Sequence, residues 1–163
     1  MTVPTGADVV IPEPARFGAL RLAWLRAAAR GRIRTEGRVT LGRGVAIRVA
    51  DGARVVLGDG VHLGSGSRIE ALGGTLRLGA RTVVGARAFV IALDGLQTGE
   101  DCVIGDFAGV GVPPGPGVAG PVRIGARARV AAHGTVASGA TVPEAALVPG
   151  YTERMVHTGP AGA

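Results

Sequence analysis

Branched aliphatic residues recur along this chain every six positions. Counting from Ile124 gives Ile124, Val130, Val136, Val142 and Val148. Leu57, Leu63 and Ile69 form another run, Leu78, Val84 and Val90 a third, and Thr98, Ile104 and Val110 a fourth whose first place is polar. Leu41 and Ile47 make a shorter run before them. A glycine follows the aliphatic directly at Gly42, Gly58, Gly64, Gly79, Gly85, Gly105 and Gly125, and Gly99 follows Thr98 in the same way. Two places before, the residue is small or apolar, as at Val39, Val45, Val55, Val61, Cys102, Val122, Ala128 and Ala140. A helical period of 3.6 does not generate this spacing, and strict alternation would not single out one place in six.

The spacing has a direct physical reading. Each hexad supplies a short strand and a turn, three hexads close a triangular coil, and successive coils pair as parallel strands. One aliphatic per hexad points inward and stacks on its counterpart one coil away. The glycine after it marks a corner, where backbones approach closely. The pattern therefore predicts an all-β parallel β-helix of hexapeptide repeats over residues 36–150. The count slips at Ile69 to Leu78, Val90 to Thr98 and Val110 to Ile124, each time after the third hexad of a coil. All three extra segments should leave from the same corner. The longest, "GVPPGPGVAGP" at residues 111–121, carries four prolines and forms a loop.

Residues 1–13 read as an N-terminal extension and 151–163 as a tail. Between the extension and the repeat, "PARFGALRLAWLRAAARG" at 14–31 places Phe17, Leu20, Trp24 and Ala28 at helical spacing, with Pro14 suited to the start and Gly31 to the stop. A short α-helix capping the open end of the β-helix, or contacting a second subunit, is expected. Membrane-surface contact through this basic helix is the sharper alternative. Arg21 and Arg26 interrupt it too early for a membrane span.

Composition adds limits. The chain has 163 residues, 47% of them hydrophobic, but only 3% are aromatic, so the core must be built from Val, Ile, Leu and Ala. All 18 basic residues are arginine, and ten lie between Arg16 and Arg54 against Glu36 and Asp51 alone. Such a segment attracts phosphates or an anionic surface. Nucleic acid is not the expected partner, because stacking aromatics and a reading motif are missing. A single cysteine, Cys102, excludes an internal disulfide and a cysteine-rich metal site, and its place two before Ile104 makes it a small core residue. No charged segment followed by an apolar run opens the sequence, and cytoplasmic residence is the expectation.

The repeat, and the stretch "EDCVIGDF…GVAGPVRIG" from Glu100, resemble the hexapeptide-repeat acyltransferase superfamily, in particular the nucleotide-aminosugar N-acetyltransferases and glycan O-acetyltransferases. The resemblance implies a left-handed β-helix, a homotrimer, and an acyltransferase using acetyl-CoA or another acyl-CoA on a sugar or small-molecule acceptor. It places cofactor contacts at Gly125 and Ala131. A histidine serves as general base in these enzymes; here Glu100 stands at that histidine's place and Gly109 at a second one. The loop at 111–121 lacks histidine, and "GYTERMVH" replaces the segment that closes over CoA. Glu100 is thus a candidate base in its own right. His62, outward on a flat face, and His133, at an exposed corner between the second and third hexads, are the other catalytic candidates, since subunits of a trimer meet near such positions. The ordinary reading of both, and of His157, is a surface histidine. The three lack ligand spacing, so no metal is expected. The alternative function is a catalytically degenerate trimeric β-helix serving as a scaffold or partner-binding subunit.

Overall fold

The computed structural model describes residues 8–9 and 31–150. The expected helix at 14–31 lies outside them except for Gly31, as does the tail from 151. Residues 33–148 wind into a parallel β-solenoid of about six turns with three flat faces. The first face stacks Ile33–Thr35, Arg54–Leu57, Thr75–Leu78, Leu96–Thr98, Val122–Ile124 and Thr141–Val142. The second stacks Thr40–Leu41, His62–Leu63, Val83–Val84, Val103–Ile104, Arg129–Val130 and Leu147–Val148. The third stacks Ala46–Val49, Arg68–Ala71, Phe89–Ala92, Gly109–Val112 and Thr135–Ala137. Asp8–Val9 adds an antiparallel strand to its outer edge, pairing Asp8 with Arg48 and Val9 with Ile47. The solenoid therefore begins slightly before the first hexad of the sequence pattern.

The register follows the six-residue count. Leu57 lies beside Leu78, Leu63 beside Val84, and Ile69 beside Val90. Each is fully buried, as are Ile47, Leu76 and Val110. Removing one such leucine or isoleucine from water is worth about 2 kcal/mol, and the columns repeat that gain coil after coil. The third-face strands are longer and place a second residue inward: Val49, Ala71 and Ala92 are buried one step beyond Ile47, Ile69 and Val90.

Corners obey two further rules. First, with the exception of Gly79, the backbone N–H after the inward residue donates to the carbonyl of its counterpart in the next coil, as in Gly64 to Val84 (2.7 Å), Gly85 to Ile104 (2.7 Å) and Gly105 to Val130 (2.8 Å). A Cβ at Gly64 would stand 2.6 Å from the Gly85 carbonyl carbon, so the next coil passes where a side chain would begin. Second, the residue three places after the inward position takes a positive φ, even where it is not glycine. Between the first and second faces these are Gly60, Arg81, Asp101, Arg127 and Ala145; between the second and third they are Gly44, Gly66, Arg87, Phe107 and His133. A left-handed conformation costs a non-glycine residue roughly 1 kcal/mol. Each corner recovers part of this through a bond to the coil before it, such as Arg81 N–H to the Asp59 carbonyl (2.8 Å) and His133 N–H to the Asp106 carbonyl (2.9 Å).

The extra segments do leave from one corner, between the third and first faces. Two are short turns, at 72–74 and 93–95. The proline-rich loop occupies 113–121 and is closed at its base by Ser138, whose hydroxyl accepts from Gly120 N–H and donates to the Gly120 carbonyl, both at 3.1 Å. Thus the longest sequence break and the one long loop among the described residues coincide.

Candidate functional site

Glu100 sits at the fourth coil's corner between the first and second faces, just before the positive-φ residue Asp101. Directly below it in the preceding coil is Arg81. The Arg81 guanidinium donates to Glu100 Oε2 at 2.9 Å and to both Asp101 oxygens, at 2.7 and 3.0 Å. Its hydrogen bond and charge hold the Asp101 carboxyl below the ordinary aspartate range, and the two acids together raise the Arg81 guanidinium. One coil further on, Arg127 pairs with Glu144. The corner is therefore a ladder of alternating charge, in register because each member lies two or three places after the inward residue of its coil, Leu78, Thr98, Ile124 or Val142. Carboxylates that act as bases are commonly buried to make them so. The Glu100 side chain is 65% exposed, so this chain alone does not bury it.

The two histidines lie elsewhere. His62 projects outward from the second face in the second coil, beside Thr40 and Val83. His133 projects from the corner between the second and third faces in the fifth coil. Its ring stacks on Phe107, with centroids 5.1 Å apart and planes within 2°. Arg87 lies over the other side of the phenyl ring at 5.7 Å. With coils about 4.8 Å apart, three coil steps separate His62 from His133 by roughly 14 Å along the axis. Within one chain, Glu100, His62 and His133 do not converge on a common point.

Gly125 and Ala131 occupy two different corners on either side of the second face. A Cβ on Gly125 would collide with the Glu144 backbone, which gives this glycine a packing reason to be there. The Ala131 N–H donates to the Val148 carbonyl at 2.9 Å. Cys102 is buried at 1% exposure, as an inward corner residue. Its thiol lies 3.1 Å from the Gly125 carbonyl, and burial pushes its pKa up, the opposite of a nucleophile's environment. Among the described residues, no three His, Cys, Asp or Glu side chains come together as a metal site would need.

Two adjoining depressions, about 510 and 220 Å³, run along the outside of the first face and share Gln97 and Arg123. The larger is bounded by Gly99, Gly125, Thr141 and Glu144, so it ends at the corner that carries Glu100. The smaller continues over Thr75, Arg77 and Pro121, the last residue of the proline-rich loop. Together they form an open trough across the third to sixth coils. Arg77 is tied to Glu36 at 2.9 Å, whereas Arg123 is exposed and makes no ion pair among the described residues. Arg81, Arg123 and Phe107 are absent from the candidates read from sequence. Their positions follow from the repeat once coils are aligned: Arg81 and Phe107 stand two places after Gly79 and Gly105, and Arg123 just before Ile124.

Comparisons with protein-family models, with curated proteins and with solved structures found no match to this chain.

Proposed function

We propose that this protein is an acyltransferase-like β-helix that winds left-handed, assembles as a homotrimer and works in the cytoplasm on a sugar or small-metabolite acceptor. The observation that carries this reading is the first-face trough. It is elongated, it holds Arg123, which makes no ion pair among the described residues, it includes Gly125, and it ends at Gly99, the residue before Glu100. An acyl-CoA is long, with phosphates at one end and a thioester at the other. In this reading Arg123 meets a phosphate and Gln97 contacts the extended arm. Glu100 takes the proton from the acceptor hydroxyl or amine as that atom attacks the thioester carbonyl. The C–S bond breaks, the acyl group stays on the acceptor, and the CoA thiolate takes the proton back from Glu100 and leaves as the thiol. A neighbouring subunit would supply the burial Glu100 lacks, and His62 and His133 of neighbouring copies are the remaining proton-transfer candidates.

A second reading has its own support. Arg81 already holds Glu100, and His133 is already stacked, which suits a partner-binding solenoid without turnover. Titration calorimetry with acetyl-CoA separates the two. The first reading expects binding, weakened several-fold by Arg123→Ser, with turnover abolished by Glu100→Gln while binding persists. No heat at millimolar acetyl-CoA would sink it and leave the scaffold. Light scattering should give a trimer mass, and a clean monomer would remove the shared cleft on which catalysis depends.

A further inference from the structure

The three faces carry different outward chemistry. Coils three to five of the third face present Phe89, Ile91, Val112 and Ala137, and no charge. The second face mixes Val83, Val103 and Leu147 with His62 and Arg129. On the first face, the outward column of the ladder reads Arg34, Val56, Arg77, Gln97, Arg123 and Thr141. Arg54 stands beside this column in the second coil. No first-face strand carries an acidic residue. Arg34, Arg54 and Arg123 are exposed and make no ion pair among the described residues.

Arg34, Arg77 and Arg123 lie two coils apart each, so guanidinium groups repeat about every 10 Å along the axis, the middle one shared with Glu36. A rigid row of guanidinium groups at even spacing fits a linear polymer with acidic groups at a matching repeat. That spacing is comparable to one disaccharide unit. We infer that the first face binds an acidic polysaccharide lengthwise, its carboxylates meeting Arg34, Arg54 and Arg123 and its chain lying in the trough. Single-stranded nucleic acid would need aromatic platforms, and no first-face strand has an aromatic residue. A bilayer is flat and would leave the trough unfilled, and Val56 is the face's one outward apolar side chain in the first two coils. The binding does not depend on acyl transfer.

The test is fluorescence anisotropy of the full chain with a labelled oligogalacturonate, at low salt and again at high salt. Binding is expected, and screening should weaken it. Arg34→Ser with Arg54→Ser should weaken it about tenfold, as the loss of two exposed ion contacts implies. The off-face pair Arg68→Ser with Arg129→Ser removes the same charge and should change it less than about twofold. Equal losses in the two pairs would reduce the effect to net charge and overturn the site. Binding of a neutral maltodextrin as tight as the acidic glycan, or tighter binding of oligo-dT or phosphatidylglycerol vesicles, would overturn the choice of partner. The two ligands share the trough, so bound acetyl-CoA should compete with the glycan; glycan binding with no acetyl-CoA binding leaves this inference standing and removes acyl transfer alone.

Discussion

Thr98 is a polar residue in a first-face column that is otherwise aliphatic from Leu57 to Val142, and replacing it with valine sets two forces against each other. In every neighbouring coil the glycine after the inward aliphatic donates its N–H to a backbone carbonyl of the next coil, as Gly58 does to Leu78 and Gly99 to Ile124, both at 2.8 Å. Gly79 instead donates to the Thr98 hydroxyl at 3.0 Å, and the ladder between these two strands stops at Gln97. Thr98 is 2% exposed, so no water can take over. Thr98→Val leaves the Gly79 N–H unpaired at about 1–3 kcal/mol, while exchanging hydroxyl for methyl returns about 0.8 kcal/mol. The net expectation is destabilisation by about 1 kcal/mol. Thr82, whose hydroxyl also donates to the Gly99 carbonyl at 3.2 Å, keeps that bond. Thr98→Ser retains the acceptor and loses only the methyl, a similar total cost by a different route. The assay that separates them is amide hydrogen exchange: Gly79 should exchange faster in Thr98→Val and as in wild type in Thr98→Ser. Denaturant midpoints supply the sign of the stability change. A stabilised Thr98→Val with Gly79 still protected would refute the reasoning. It would mean that the strands simply extend their ladder once the hydroxyl is gone, and that the column is best when wholly aliphatic.

Two further outcomes follow from the corner chemistry. The Asp101 carboxyl is held below its ordinary range by the Arg81 hydrogen bond, so its contribution is present above the unfolded aspartate value near 4 and fades as pH falls through the lower folded value. Asp101→Asn should therefore lower the melting temperature slightly at pH 7 and not at all at strongly acidic pH; a difference that grows on acidification would contradict the pairing. Cys102, buried with its thiol raised by desolvation, should resist a disulfide-exchange reagent at pH 8 in the native protein and react fully once denatured. Fast stoichiometric labelling of the folded chain would place it outside the core.

The sequence by itself determined the fold's repeat. A period of six is a one-dimensional property of the chain, and stacking converts it into three-dimensional order without further choice. Ile69 meets Val90 because each is the third aliphatic of its coil, and the long loop emerges where the count slips. The same arithmetic placed Cys102 inward and His62 and His133 outward. What the pattern could not supply was the company each residue keeps across coils. Glu100 looked in sequence like a bare substitute for a histidine; its defining partner, Arg81, lies 19 positions away and meets it only because the two corners stack. His133 acquired a phenyl ring, and Gly125 a steric duty toward Glu144, in the same way. The antiparallel strand at Asp8–Val9 has no hexad to announce it, because it only extends an edge already made by Ala46–Val49. Charge, too, was legible as an amount but not as a direction. Ten arginines crowd the N-terminal third of the sequence, yet only the solenoid's register sorts Arg34 and Arg54 onto one face with Arg77 and Arg123 from later coils. Period follows from local spacing; a surface is made when residues distant in the chain are brought to one side by the winding.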